Sequence, residues 1–268
     1  MVETIDFEHT FAAAPVARRP FGIPFVCSRY ILSGVLPPGI EHVMKTSAKV
    51  VFYTALLGAL AMAAVQWLIF AYAPIEHTMG LTQKIFYLHL PLAWWGLFSF
   101  LLVFIASIAY LRTRNECWEI LADSAAELGV VLAGLALVTG SIWAKAAWWR
   151  WWIWDYRLTT TLIMWFIYAA YLVLRGLDMS AERRAVVKAV VGIIAFLDVP
   201  LVFFATRLWQ SNHPVGVMSS ADGLEPEMRL TVLGCLIAFG VFWLAILLLR
   251  YRIMRLERNL ATLRIETV

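Results

Sequence analysis

Residues 143–159 read WAKAAWWRWWIWDYRLT and hold six of the chain's thirteen tryptophans. Among them stand Lys145, Arg150, Arg157 and a single carboxylate, Asp155. An apolar run precedes the segment, residues 128–144, and another follows it, residues 158–174. A helix that crosses the hydrocarbon core needs about 20 apolar residues, with a range of about 17–25. Both runs meet that length. A tryptophan-rich, mostly cationic segment between two such runs reads as a shelf at a membrane surface, where the amphipathic indole ring is favoured.

Four more runs of membrane length lie outward from the shelf, at residues 51–73, 85–111, 189–206 and 230–249. The expected fold is therefore an all-α integral membrane protein with six transmembrane helices. The composition agrees: 62% of the 268 residues are hydrophobic and the mean hydropathy is +0.77, against about 45–50% apolar residues in soluble domains. The expected organisation is an N-terminal tail (1–50), a six-helix domain (51–250) with the tryptophan loop at 143–159, and a C-terminal tail (251–268). The first 45 residues include Pro15, Pro20, Pro24, Pro37 and Pro38. No cleavable signal peptide is expected, because the first apolar run starts near residue 50 and is too long for a signal core.

Charge sets the expected orientation. With the N-terminus inside, sixteen Lys and Arg fall on the cytoplasmic side and six on the other. The positive-inside rule then puts both termini in the cytoplasm and the tryptophan shelf outside. The net charge of +4 implies contact with anionic membrane lipid and no nucleic-acid partner. Cys27, Cys117 and Cys235 are widely spaced and form no CxxC, which argues against a redox motif. Walker A, GxSxG, HExxH and CxxCH patterns do not occur, so the chain carries no independent catalytic motif and is not itself a c-type cytochrome.

The same topology collects the chemistry on one surface. His89 falls at the outer end of the second span and His213 just after the fifth. Each is closely followed by a stiffening proline, Pro91 and Pro214. A lone histidine near a span end is ordinarily interfacial. Two on one side, with the aromatic shelf between them in sequence, suit axial ligation of haem iron. A third outer histidine, His77, sits in a short loop beside Glu76, while His9 and His42 belong to the tail. An aromatic belt accounts for one or two tryptophans per span end, not for Trp148, Trp149, Trp151, Trp152 and Trp154 together. On a helix, Trp148, Trp151, Trp152 and Asp155 would share one face, a broad surface for a porphyrin. Arg150, Arg157, Arg207 and Arg229 are the outer guanidinium groups for the haem propionates. Asp155 is expected chiefly to cap the following helix. Asp198, in the fifth span with Pro200, is expected to satisfy backbone groups loosened by the proline. Two other classes stay open on the residues alone: a haem b electron-transfer protein reacting with quinone, and a structural permease subunit whose tryptophans only anchor it.

Three segments carry a family resemblance. IWAKAAWWRWWIWDYRLT (142–159) resembles the tryptophan-rich "WWD" signature of the haem-handling proteins of cytochrome c biogenesis. KIFYLHLPLAWW (84–95) and DVPLVFFATRLWQSNHP (198–214) are similar to the two histidine motifs of its smallest members, the haem exporter protein C (CcmC) type. The order of motifs and the six spans match over about residues 50–250. The resemblance implies that His89 and His213 bind the iron of haem b, and that the site is lined by Trp143, Trp148, Trp151, Trp152 and Trp154. It implies a site at the periplasmic face of the bacterial inner membrane and delivery of haem to a periplasmic chaperone of the CcmE type, where it becomes covalently attached. It also implies a small single-span partner (CcmD type) and ABC transporter subunits (CcmA and CcmB types). The chain departs from the family pattern at Ala144 and Trp149, where glycine is usual, and at Asp198 and Pro214.

Overall fold

The computed structural model describes residues 38–209, 213 and 224–266, with side chains described from residue 48 to 205 and at 209, 213 and 224–261. The tail of residues 1–37 and Pro214 lie outside the described residues. The described residues from Lys49 onward belong to one compact unit. The regular elements among the described residues are helices, in the order α1 (Pro38–Trp67), α2 (Phe86–Thr113), α3 (Glu116–Trp148), α4 (Tyr156–Val173), α5 (Ala181–Ala195), α6 (Asp198–Leu208) and α7 (Pro226–Glu266), with a π turn and 3-10 turns in some of the connections. Among the described residues, six segments are long and apolar enough to cross a membrane.

Local chemistry sets several boundaries. Arg114 adopts a left-handed conformation (φ 55°) and donates its N–H to the Tyr110 carbonyl, closing α2. Asn115 then caps α3 by accepting the Cys117 N–H at 2.9 Å, and Glu116 and Glu119 meet the positive end of its dipole. α1 widens into a π turn at Leu68–Tyr72. Two carbonyls of that turn, those of Ile69 (2.7 Å) and Phe70 (3.4 Å), accept from the buried Lys84 ammonium. Without that donor they would lie unsatisfied in a low-dielectric setting.

α2 and α3 pack most intimately. A Cβ on Gly96 would come within 3.2 Å of the Ala133 backbone nitrogen, so glycine lets the two backbones approach, as small residues do between membrane helices. Aromatic stacks fill the core beside them: Phe100 lies on Tyr168 with ring centres 3.7 Å apart, and Trp95 on Trp243 at 5.1 Å. The core indoles find acceptors, Trp95 in the Leu236 carbonyl, Trp165 in the Val130 carbonyl and Trp243 in the Ser99 hydroxyl.

Three expectations change. The third crossing segment is Glu116–Trp148, beginning twelve residues before the expected start at residue 128. Its early charges are tolerated because they are paired, Glu119 and Asp123 with Lys188 of α5, and Glu127 with Arg250 of α7. The fifth crossing is interrupted at Phe196–Leu197 between α5 and α6. There the backbone satisfies itself, Leu197 N–H to the Ile194 carbonyl and Val199 N–H to that of Phe196, each at 3.1 Å. The Asp198 carboxylate consequently does not take the expected role. Its Oδ2 is buried without a hydrogen-bond partner in the first turn of α6. Residues 251–266 continue α7.

Candidate functional site

His89 occupies the first turns of α2, half-buried against the second half of α3. Its Nδ1 lies 3.1 Å from the Ala136 carbonyl and 3.1 Å from the Thr139 hydroxyl. A carbonyl oxygen only accepts, so Nδ1 carries the proton and Nε2 keeps its lone pair. His213 stands opposite, between α6 and α7. The two ring centres are 6.4 Å apart and the planes meet at 38°. The fold thus brings together two histidines 124 positions apart in the chain.

The shelf is not the continuous helical face expected for Trp148, Trp151, Trp152 and Asp155. α3 ends at Trp148, and Trp149 takes a left-handed conformation, φ 60°. Residues 150–155 then cross to α4 without helical structure. The physical cause is the turn itself: a left-handed residue terminates a helix, and the capping of α4 by Asp155 needs an extended backbone there (φ −95°, ψ 165°). Asp155 caps as expected, its Oδ1 accepting the Leu158 N–H at 2.8 Å.

The tryptophans nonetheless form contacts within the shelf. Trp143 meets Trp148 edge-on at 5.2 Å, and Trp152 meets Trp154 edge-on at 5.7 Å. Trp149, Trp151 and Trp154 are largely exposed, whereas the indole nitrogens of Trp143 and Trp152 are buried without hydrogen-bond partners. Those two N–H groups are donors available to a ligand. Among the candidate arginines, Arg157 is half-buried and within electrostatic reach of both Asp155 and His89. Arg150 is exposed, Arg229 lies in the first turn of α7, and Arg207 lies in α6 with its side chain outside the described residues.

Several contributors escaped the sequence reading. Tyr156, at the start of α4, stacks on Trp209 just after α6, with ring centres 5.1 Å apart. This contact ties the shelf to the segment leading to His213. Thr139 and the Ala136 carbonyl hold the His89 ring, yet nothing in an apolar helix distinguishes them beforehand. A cavity of about 360 Å³ opens beside the shelf, walled by Met79, Phe86, Trp143, Leu224 and Met228. His77 lines this cavity with Glu76. The backbone N–H groups of Met79 and Thr78 donate to the Glu76 carboxylate and hold its pKa below the usual value.

This arrangement offers two opposed imidazoles, an adjacent aromatic surface and a nearby guanidinium. Comparison with known proteins bears on the same stretch of chain. A protein from Bradyrhizobium diazoefficiens named Heme exporter protein C is 32% identical over 196 residues, 72% of this chain and 74% of its own length. The protein of that name from Paracoccus denitrificans is 31% identical over 193 residues, covering 71% and 80% of the two chains. The one from Escherichia coli K12 is 28% identical over 186 residues, covering 68% and 74%. The family described as Heme exporter protein C (CcmC) matches residues 39–266, which takes in all six crossing helices, both histidines and the shelf, and the chain belongs to that family.

Proposed function

We propose that this chain holds haem b between His89 and His213 at the periplasmic face and delivers it to a membrane-anchored chaperone of the CcmE type. Its membership of the family implies haem handling in cytochrome c biogenesis, carried out by a multi-pass protein of the bacterial inner membrane. The observation that carries the finer reading is the spacing of the two imidazoles. An iron bound at about 2 Å by a nitrogen of each of two rings separates the ring centres by about 6 Å. The rings stand 6.4 Å apart, and the His89 tautomer leaves Nε2 free to donate.

In this reading haem is the cargo. Trp143, Trp148, Trp151, Trp152 and Trp154 cover the porphyrin, and the exposed indoles form the surface that the chaperone meets. Arg157, whose charge acts on His89, takes a propionate, with Arg150, Arg207 and Arg229 completing the cationic surround. A CcmD-type single-span subunit and CcmA- and CcmB-type ABC subunits complete the assembly. The decisive measurement is the absorption spectrum of the detergent-purified protein, oxidised and reduced. A low-spin, two-histidine spectrum that is lost in both His89→Ala and His213→Ala supports the reading. Variants that keep the spectrum and still load the chaperone normally overturn it.

A further inference from the structure

Three groups of α3 converge on one edge of the His89 ring. They are the Ala136 carbonyl, the Thr139 hydroxyl and the bare α-carbon of Gly140, spaced i, i+3 and i+4 so that one helix face presents all three. The Thr139 hydroxyl is committed by its own neighbours. It lies 2.8 Å from the Leu135 carbonyl and 3.1 Å from that of Ala136, acceptors within its own helix for its single proton, so the oxygen presents a lone pair toward His89 Nδ1 at 3.1 Å. The Nδ1 proton is therefore shared between two acceptors, Thr139 Oγ1 and the Ala136 carbonyl. At Gly140 a Cβ would stand 3.1 Å from His89 Cε1 and 3.5 Å from Nδ1, so any side chain there presses on the imidazole.

We infer that Thr139 is a positioning residue for the iron ligand: its hydroxyl fixes His89 as the Nδ1–H tautomer and aims Nε2 at the iron, while Gly140 keeps the ring's seat open. The inference rests on the proposed ligation by His89. Its chemical consequence is specific. A hydrogen bond accepted from Nδ1–H makes the imidazole a stronger donor, and a stronger donor favours ferric over ferrous iron. Thr139 thus contributes to how tightly ferric haem is held before it is handed on. The hydroxyl's other partners are the Leu135 and Ala136 carbonyls of its own helix, so its removal takes no bond from another helix besides that to His89.

The test uses the full-length protein in detergent with haem bound, as wild type, Thr139→Val, Thr139→Ser, Thr139→Ala, Gly140→Ala and His89→Ala. Two quantities are read: the haem midpoint potential, and the rate at which ferric haem passes to excess apomyoglobin. Thr139→Val keeps the shape and loses the hydroxyl. It is expected to shift the potential upward and speed ferric haem loss about tenfold, the lower end of the usual effect of removing a partner of a metal-bound histidine. Thr139→Ser is expected to restore both, and Gly140→Ala to speed haem loss by displacing the ring. Should Thr139→Val fail to fold, Thr139→Ala supplies the same comparison. A folded Thr139→Val or Thr139→Ala protein with wild-type potential and wild-type haem loss overturns the inference while leaving ligation by His89 intact. A His89→Ala protein that retains the two-histidine spectrum removes the ligation reading itself, and this inference with it.

Discussion

The ammonium of Lys188 sits 2.7 Å from the Asp123 carboxylate, both side chains nearly closed to solvent, at the end of the bundle opposite the two histidines. Lys188 also reaches Glu119 at 2.7 Å, and the Tyr171 hydroxyl donates to Asp123 at 3.1 Å. Arg258 from α7 joins Glu119 at 2.7 Å, and Arg175 and Arg250 engage Glu127. One acidic stripe on α3 thereby gathers cations from three other segments. Replacing Lys188 by Met strands two carboxylates in a poorly solvated place. Removing one partner of a buried pair costs about 3–5 kcal/mol, and Arg258 offsets part of it, so a loss of about 3 kcal/mol is expected. Thermal unfolding of the detergent-solubilised variant reads it directly, and an unchanged melting temperature contradicts the network.

Trp149 occupies a left-handed backbone conformation that suits glycine. The residue is 81% exposed, so little packing is at stake. The left-handed conformation costs an L-residue about 1–2 kcal/mol. Trp149→Gly is expected to stabilise the apo protein by about 1 kcal/mol, a little less than the strain because glycine also gains freedom when unfolded. Trp149→Val, β-branched, is expected to do the reverse. Melting curves of the two variants should therefore move in opposite directions from wild type.

Asp155 combines a cap and a charge, and two substitutions separate them. Asn retains an oxygen for the Leu158 N–H, and Ala does not. Asp155→Ala is expected to lose about 1 kcal/mol, whereas Asp155→Asn is expected to melt near wild type. Because Arg157 lies within electrostatic reach of Asp155, the Asn variant leaves that guanidinium less neutralised. Haem retention by Asp155→Asn at or above the wild-type level fits a propionate on Arg157. Weakened retention in a normally stable Asp155→Asn protein argues for a direct role of the carboxylate.

The opposed imidazoles predict a chemical rescue. If both rings bind the iron as proposed, His89→Gly and His213→Gly each leave a vacant position beside it, and added imidazole should occupy it. The low-spin spectrum is expected to return on titration with imidazole in either single variant and to be weakest to recover in the double variant. If imidazole restores neither, the two rings do not flank the iron.

The positions of the crossing segments could be read in advance because a membrane span depends on length and apolarity within one stretch of chain. Capping by Asp155 was legible for a related reason, being a matter between a residue and its third neighbour. The true start of α3 was not. Glu116, Glu119, Asp123 and Glu127 precede the apolar run, and only partners 48 to 142 residues away make them part of that helix. Counting Lys and Arg for orientation likewise treated Arg175, Lys188, Arg250 and Arg258 as surface charge, although all four are paired to α3. The helical stripe expected for the shelf failed at Trp149, where the need to turn between α3 and α4 outweighed periodicity.

What this protein's sequence determined by itself is what short-range physics governs: six apolar segments of membrane length, the caps, and the presence of two histidine motifs around a tryptophan-rich turn. Tertiary structure alone decided the 6.4 Å between His89 and His213, the stack of Tyr156 on Trp209 that braces it, and the tautomer that Thr139 and Ala136 impose. Each of these joins residues distant in the chain. Such contacts depend on how whole helices pack, where the room that Gly140 leaves for the His89 ring matters as much as the residue that binds.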